Sequence, residues 1–129
     1  MVVSFRLALL SVPVAVLAGC ASHQLVQSRW TENDLVGLHL ALRDPAHPNA
    51  IEEYYFSRTF VDVTVGLKSR DETVITTPEY RWGLVNGRLR MGNGEEAVSW
   101  TLVSRDQAAI VVRTGSGELR SFEILARPR

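Results

Sequence analysis

The chain has 129 residues, the length of one domain rather than two. Its 14 basic and 14 acidic side chains cancel, which leaves no basic excess to draw in nucleic acid or an anionic membrane surface. The single cysteine excludes a disulfide within the monomer.

Residues 1–6 carry one positive charge, at Arg6, and residues 7–17 form an apolar run. A bilayer-spanning helix needs about 20 residues, so the run is too short to cross; it fits the apolar region of a secretion signal. It ends in Leu17-Ala18-Gly19-Cys20, with small residues before the only cysteine. These four residues resemble the lipobox of bacterial lipoproteins. The resemblance implies that residues 1–19 are a signal peptide, cut before Cys20. It also implies that the Cys20 thiol takes a diacylglycerol and that the new amino group is acylated, for example with palmitate. Each buried CH₂ is worth about 0.8 kcal/mol, and two or three chains hold stably where one does not. The membrane is thus an expected partner through the lipid on Cys20. Without Arg6 the mature chain carries 13 basic and 14 acidic groups, a net charge of −1. Ala21 follows the cysteine, where aspartate tends to keep such proteins in the inner membrane. The expectation is therefore lipid anchoring in the outer membrane, facing the periplasm. Residues 20–33 read as the lipidated cysteine and a polar tether.

From residue 34 to 129 the pattern is short apolar stretches split by turn residues. Only a helical turn is expected before it, at Thr31-Glu32-Asn33-Asp34, with Thr31 as cap. Residues 35–42 read as a first strand. The loop 43–50 carries Pro45 and Pro48, which withhold backbone donors and exclude it from a sheet interior. Residues 51–57 and 60–67 are rich in aromatic and β-branched side chains; Val61, Val63 and Val65 alternate with Asp62 and Thr64, a period of two. After the charged turn 68–72 comes a short strand, 73–77, ended by Pro78. Tyr80, Trp82 and Leu84 share one face of the next strand. Asn86-Gly87 is a strong hairpin signal, because a type I′ turn needs positive φ at both residues. Residues 88–91 return. Val98, Trp100 and Leu102 alternate with Ser99 and Thr101, and strands at 108–113 and 119–126 close the chain.

Eight or nine strands at this spacing, joined by hairpin-length links, predict an all-β domain. The expected architecture is an antiparallel up-and-down meander closed into a small β-barrel of about eight strands, since closure removes exposed edges. The order of features resembles small bacterial lipocalin-like (calycin-type) domains. The resemblance rests on Leu35-Val36-Gly37-Leu38-His39, on Tyr54-Tyr55-Phe56-Ser57, and on Tyr80-Arg81-Trp82 ahead of the Asn86-Gly87 turn. It implies the barrel fold but no single function, since lipocalin-like domains bind unrelated ligands or none.

No catalytic constellation is legible. Gly115-Ser116-Gly117 lacks the strand-turn-helix context of an exposed nucleophile and reads as a hairpin turn. His39, Asp44 and His47 could meet at one barrel end but match no metal spacing, so no metal or cofactor is expected. Glu52-Glu53 would face opposite sides of a strand, and Glu95-Glu96 reads as a solvated hairpin end; neither makes a dyad. The aromatics Tyr54, Tyr80, Trp82 and Trp100 are the candidate ligand-binding set. They either line a barrel mouth or fill an interior that, with eight strands, has just enough room for side chains. The expectation is a non-enzymatic module that binds a small apolar ligand or lipid. The alternative is a protein-interaction module, such as a hydrolase inhibitor or an envelope assembly factor.

Overall fold

The computed structural model describes residues 29–128. The expected signal peptide and Cys20 lie outside the described residues. One short helix, α1 (Glu32–Leu35), precedes nine strands: β1 (His39–Arg43), β2 (Ala50–Phe56), β3 (Phe60–Lys68), β4 (Thr73–Thr76), β5 (Glu79–Val85), β6 (Arg88–Met91), β7 (Val98–Arg105), β8 (Ala109–Thr114) and β9 (Leu119–Ala126). A single 3₁₀ turn, Gly94–Glu96, joins β6 to β7.

Every strand pairs antiparallel with its neighbours, and the first and last strands pair with each other. Strands β4 and β5 share one flank of β3: Val65 to Lys68 face β4, while Phe60 to Asp62 face β5. The break between them falls at Pro78, whose carbonyl accepts the Val63 N–H at 2.9 Å. The result is a closed eight-stranded up-and-down barrel of small lipocalin-like type, with β4 as a ninth strand carried beyond the wall.

Period-two alternation places one face of each strand inside. Leu40, Phe56, Val61, Leu89, Trp100, Leu102, Val112 and Phe122 are all buried there. Trp100 and Phe122 lie 4.8 Å apart, and Tyr54 meets both edge-on at 4.7 and 5.5 Å. Aromatic rings therefore fill the middle of the barrel, where their burial dominates the core energetics.

One end is plugged. Trp30 is 2% exposed, and its backbone N–H donates to the Gly87 carbonyl at 2.9 Å. Gly37 N–H donates to the Phe56 carbonyl, and Phe56 N–H to the Leu38 carbonyl. Asn86 and Gly87 both have positive φ (54° and 79°), the type I′ geometry the dipeptide predicts. A Cβ on Gly87 would also stand 2.6 Å from the Arg29 side chain. Asp34 ties the helix down: its carboxylate accepts from the Thr31 N–H and hydroxyl at 2.8 and 2.7 Å and pairs with Arg105.

Two boundaries differ from the sequence reading. Residues 30–33, read as tether, fold with the barrel, because Trp30 has an apolar end to fill. The first strand starts at His39 rather than residue 35: Leu35 closes α1 as a fully buried residue, and Gly37 turns the chain at φ 91°.

Candidate open-mouth site

The other end of the barrel is open. Strand order places the loops 44–49, 69–72, 92–97 and 115–118 at this end, and a cavity of about 580 Å³ opens beside the 92–97 loop. Tyr54, Val63, Val65, Met91 and Val98 wall it from the inner faces of four strands, with Tyr80 at the rim. Val63 and Met91 are buried, whereas Tyr80 and Val98 are 44% and 47% exposed. A ligand here would meet aliphatic walls below and a polar rim of Glu79, Arg81, Asn93 and Glu96 above.

Tyr54 also belongs to a polar cluster. Its hydroxyl donates to Glu52 at 2.7 Å, and the Arg120 guanidinium meets the same Glu52 oxygen at 2.7 Å. Arg120 stands 5.6 Å from the Phe122 ring centre. Burial pushes the Tyr54 phenol far above its ordinary range, and the neighbouring Glu52 carboxylate adds to the shift. Burial alone would lower Arg120, but the hydrogen bond and charge of Glu52 outweigh it and raise the guanidinium further. Tyr54 thus stays a hydrogen-bond donor and Arg120 a cation across the whole neutral range. At the rim, a hydrogen bond with the adjacent Asp62 carboxyl is the main cause that raises the Glu79 carboxyl.

The four aromatics of the candidate set do not stay together. Tyr54 and Tyr80 line the cavity. Trp100 is fully buried in the core, beneath Tyr54. Trp82 belongs to the plugged end, where its Nε1–H donates to the Ser57 carbonyl at 2.8 Å and its ring meets Phe56 edge-on. The cavity walls Val63, Val65, Met91 and Val98 were missed, although period-two alternation puts each on an inner face. Glu52 and Arg120 gave no signal, because strand alternation does not say that an inward charge at a barrel end will find a partner.

The histidines are separated. His39 pairs with Glu53 at 2.9 Å, and His47 with Asp44 at 3.0 Å in the β1–β2 loop. Glu52 and Glu53 face opposite sides, each with its own partner. Ser116 sits in the β8–β9 turn, within hydrogen-bond reach of Thr114 Oγ1 at 2.9 Å. Among the described residues, no three His, Cys, Asp or Glu side chains converge as a metal site would need.

No family model, no curated protein and no solved structure matches this chain.

Proposed function

We propose that the chain is a membrane-anchored envelope lipoprotein whose barrel mouth binds a small apolar ligand or lipid, without catalysing a reaction. The observation that carries this reading is the asymmetry of the barrel. One end is plugged by Trp30, Leu35 and Leu38, whereas the other holds an open cavity walled by aliphatic side chains. Such a concave apolar surface with a few fixed polar groups is the usual form of a small-molecule site. The volume matches a ligand of modest size, and the Tyr54 hydroxyl, its proton held by Glu52, is a fixed acceptor at the wall.

The anchoring half of the reading rests on the likeness of Leu17-Ala18-Gly19-Cys20 to a lipobox. Trp30, ten residues after Cys20, sits at the plugged end against Gly87. A tether running from a lipidated Cys20 would attach there and leave the mouth at the far pole, open to the periplasm. The ligand would then be met from solution rather than drawn directly from the anchoring leaflet.

The test is native mass spectrometry of the protein extracted from the envelope in mild detergent, before and after organic extraction. Expected is a bound mass of a few hundred daltons that is lost on extraction, on the order of what the cavity can hold. Val98→Trp places an indole at the rim and should abolish that mass, along with binding of an environment-sensitive naphthalene dye. An apo mass with no dye binding by the native protein would refute the reading.

A further inference from the structure

Strand β4 leaves one edge of the molecule open. Its sequence is Thr73-Val74-Ile75-Thr76, and all four residues are exposed. Among the described residues no strand pairs with its far side. The hydrogen-bond pattern shows which backbone groups face outward. Ser69 N–H donates to the Glu72 carbonyl, and Val63 N–H to the Pro78 carbonyl. In an antiparallel ladder bonded pairs alternate with unbonded ones, so 67/74 and 65/76 also bond while 68/73 and 66/75 do not. Lys68 confirms the alternation by donating in the other direction, to the Asn49 carbonyl at 2.8 Å. The N–H and C=O groups of Thr73 and Ile75 therefore point away from the barrel.

Natural edges are blunted with lysine, proline, bulges or inward charge. Strand β4 has none of these within it, and the β3–β4 hairpin carries the two most exposed large apolar side chains among the described residues. Leu67 is 64% exposed and Val74 58%, and they stand directly opposite each other on one face of the β3–β4 hairpin. Gly66 keeps the hairpin tight: a Cβ there would lie 2.1 Å from the Val74 carbonyl oxygen.

We infer that β4 is the self-association edge of this protein, pairing antiparallel with β4 of a second copy. Two-fold symmetry restricts the registers. A residue and its symmetry mate must face the same side, so opposed residue numbers sum to an even value. The register that sets Val74 opposite Val74 of the second copy places Thr73 opposite Ile75. This uses the outward-facing backbone groups of both strands. Asp71 and Glu72 then oppose Thr77 and Thr76, so no like charges meet. Arg70 comes opposite Pro78 and Ser69 opposite Glu79 of the second copy, so that carboxylate meets no charge. The next allowed register, centred on Ile75, would set Asp71 against Glu79 instead. In the favoured register Leu67, Val74, Val74 and Leu67 form one unbroken aliphatic row across four strands. The most exposed apolar pair of the monomer becomes the centre of the joint sheet. An uncharged edge with a self-matching apolar row selects a copy of itself over a charged partner strand.

The experiment is disulfide trapping in the full chain. Opposed residues in an unbonded antiparallel pair have Cα atoms about 4.5 Å apart, within disulfide reach. Under mild oxidation Val74→Cys should give a covalent dimer. Leu119→Cys, equally exposed but on β9, should not rise above the native chain, which controls for Cys20. Sedimentation of the native chain in detergent should show a monomer giving way to a dimer as concentration rises, and Val74→Lys should remain monomeric. Equal or absent linking of the two cysteine variants would overturn the proposal. A concentration-independent monomer would do the same, as would linking of Val74→Cys to a different envelope protein.

Discussion

Trp30 sets the true start of the folded unit, and its removal has a cost that can be worked out. The side chain is 2% exposed and packs in the plug with Leu35 and Leu38. A tryptophan of this kind removes about 200 Å² from water. At about 25 cal/mol per Å² that is roughly 5 kcal/mol, an upper bound because the denatured chain already covers part of the ring. One effect reduces it: Trp30 Nε1 is buried without a hydrogen-bond partner, so deleting it removes a penalty of about 1 kcal/mol. Trp30→Ala should therefore cost about 3–4 kcal/mol, within the range measured for large-to-small core changes. For a domain of this size that lowers Tm by about 12–30 °C. Trp30→Phe keeps most of the buried ring, loses the orphan N–H, and should stay within about 1 kcal/mol of the native protein. The assay is urea unfolding followed by far-ultraviolet circular dichroism, since the substitution removes a fluorophore. A loss below about 1 kcal/mol for Trp30→Ala would refute the reasoning and return residues 30–33 to the tether.

Asp34 gives a pH-dependent prediction. Burial pushes its carboxyl up, but the hydrogen bonds from Thr31 and the Arg105 guanidinium outweigh this and hold it below the usual carboxylate range. A carboxyl depressed on folding stabilises fully above its unfolded value near 4, and the gain fades as pH falls through the folded value. Asp34→Ala should thus cost about 1 kcal/mol at pH 7 and almost nothing at pH 2–3, measured by urea midpoints across pH. Arg120→Ala should cost about 1–3 kcal/mol by leaving the Glu52 carboxylate in the barrel wall with only Tyr54; thermal melts would show it, and Arg120→Met with Glu52→Gln should recover part of the loss. Gly66→Ala should open the β3–β4 hairpin, speeding amide exchange at residues 65–76 while leaving protection of β7 to β9 unchanged.

The barrel was legible because its signals are local. Alternation at Val61-Val63-Val65 and Val98-Trp100-Leu102, the Asn86-Gly87 turn and the Pro78 break each fix a strand, a face or a turn without tertiary information. Thr31 was legible as the start of a helix for the same reason. The plug was not, because Trp30 is one aromatic at the end of a polar stretch, and only the three-dimensional vacancy at the barrel end gives it a place. The candidate site was half legible. Tyr54 and Tyr80 belong to the cavity, but Trp82 and Trp100 have the same inward pattern and differ only in depth along the barrel axis. Alternation reports which face a residue is on, not how far along the axis it lies. The partnership of Glu52 with Arg120 depends on two registers taken together, β2 on β1 and β1 on β9, and no local pattern encodes it.

The pairing of β1 with β9 bears on how the chain comes to be folded at all. The ring is completed only when its last eight residues reach its first five, across nearly the whole domain. Until β9 leaves the ribosome, β1 and β8 are both bare edges and the core lies open on one side. Nascent chains of every shorter length are therefore denied the native state. Contacts so distant in sequence also form late, after the entropy of closing a long loop has been met. For the export proposed above, such reluctance would be an advantage, because the chain would reach the translocation channel still unfolded.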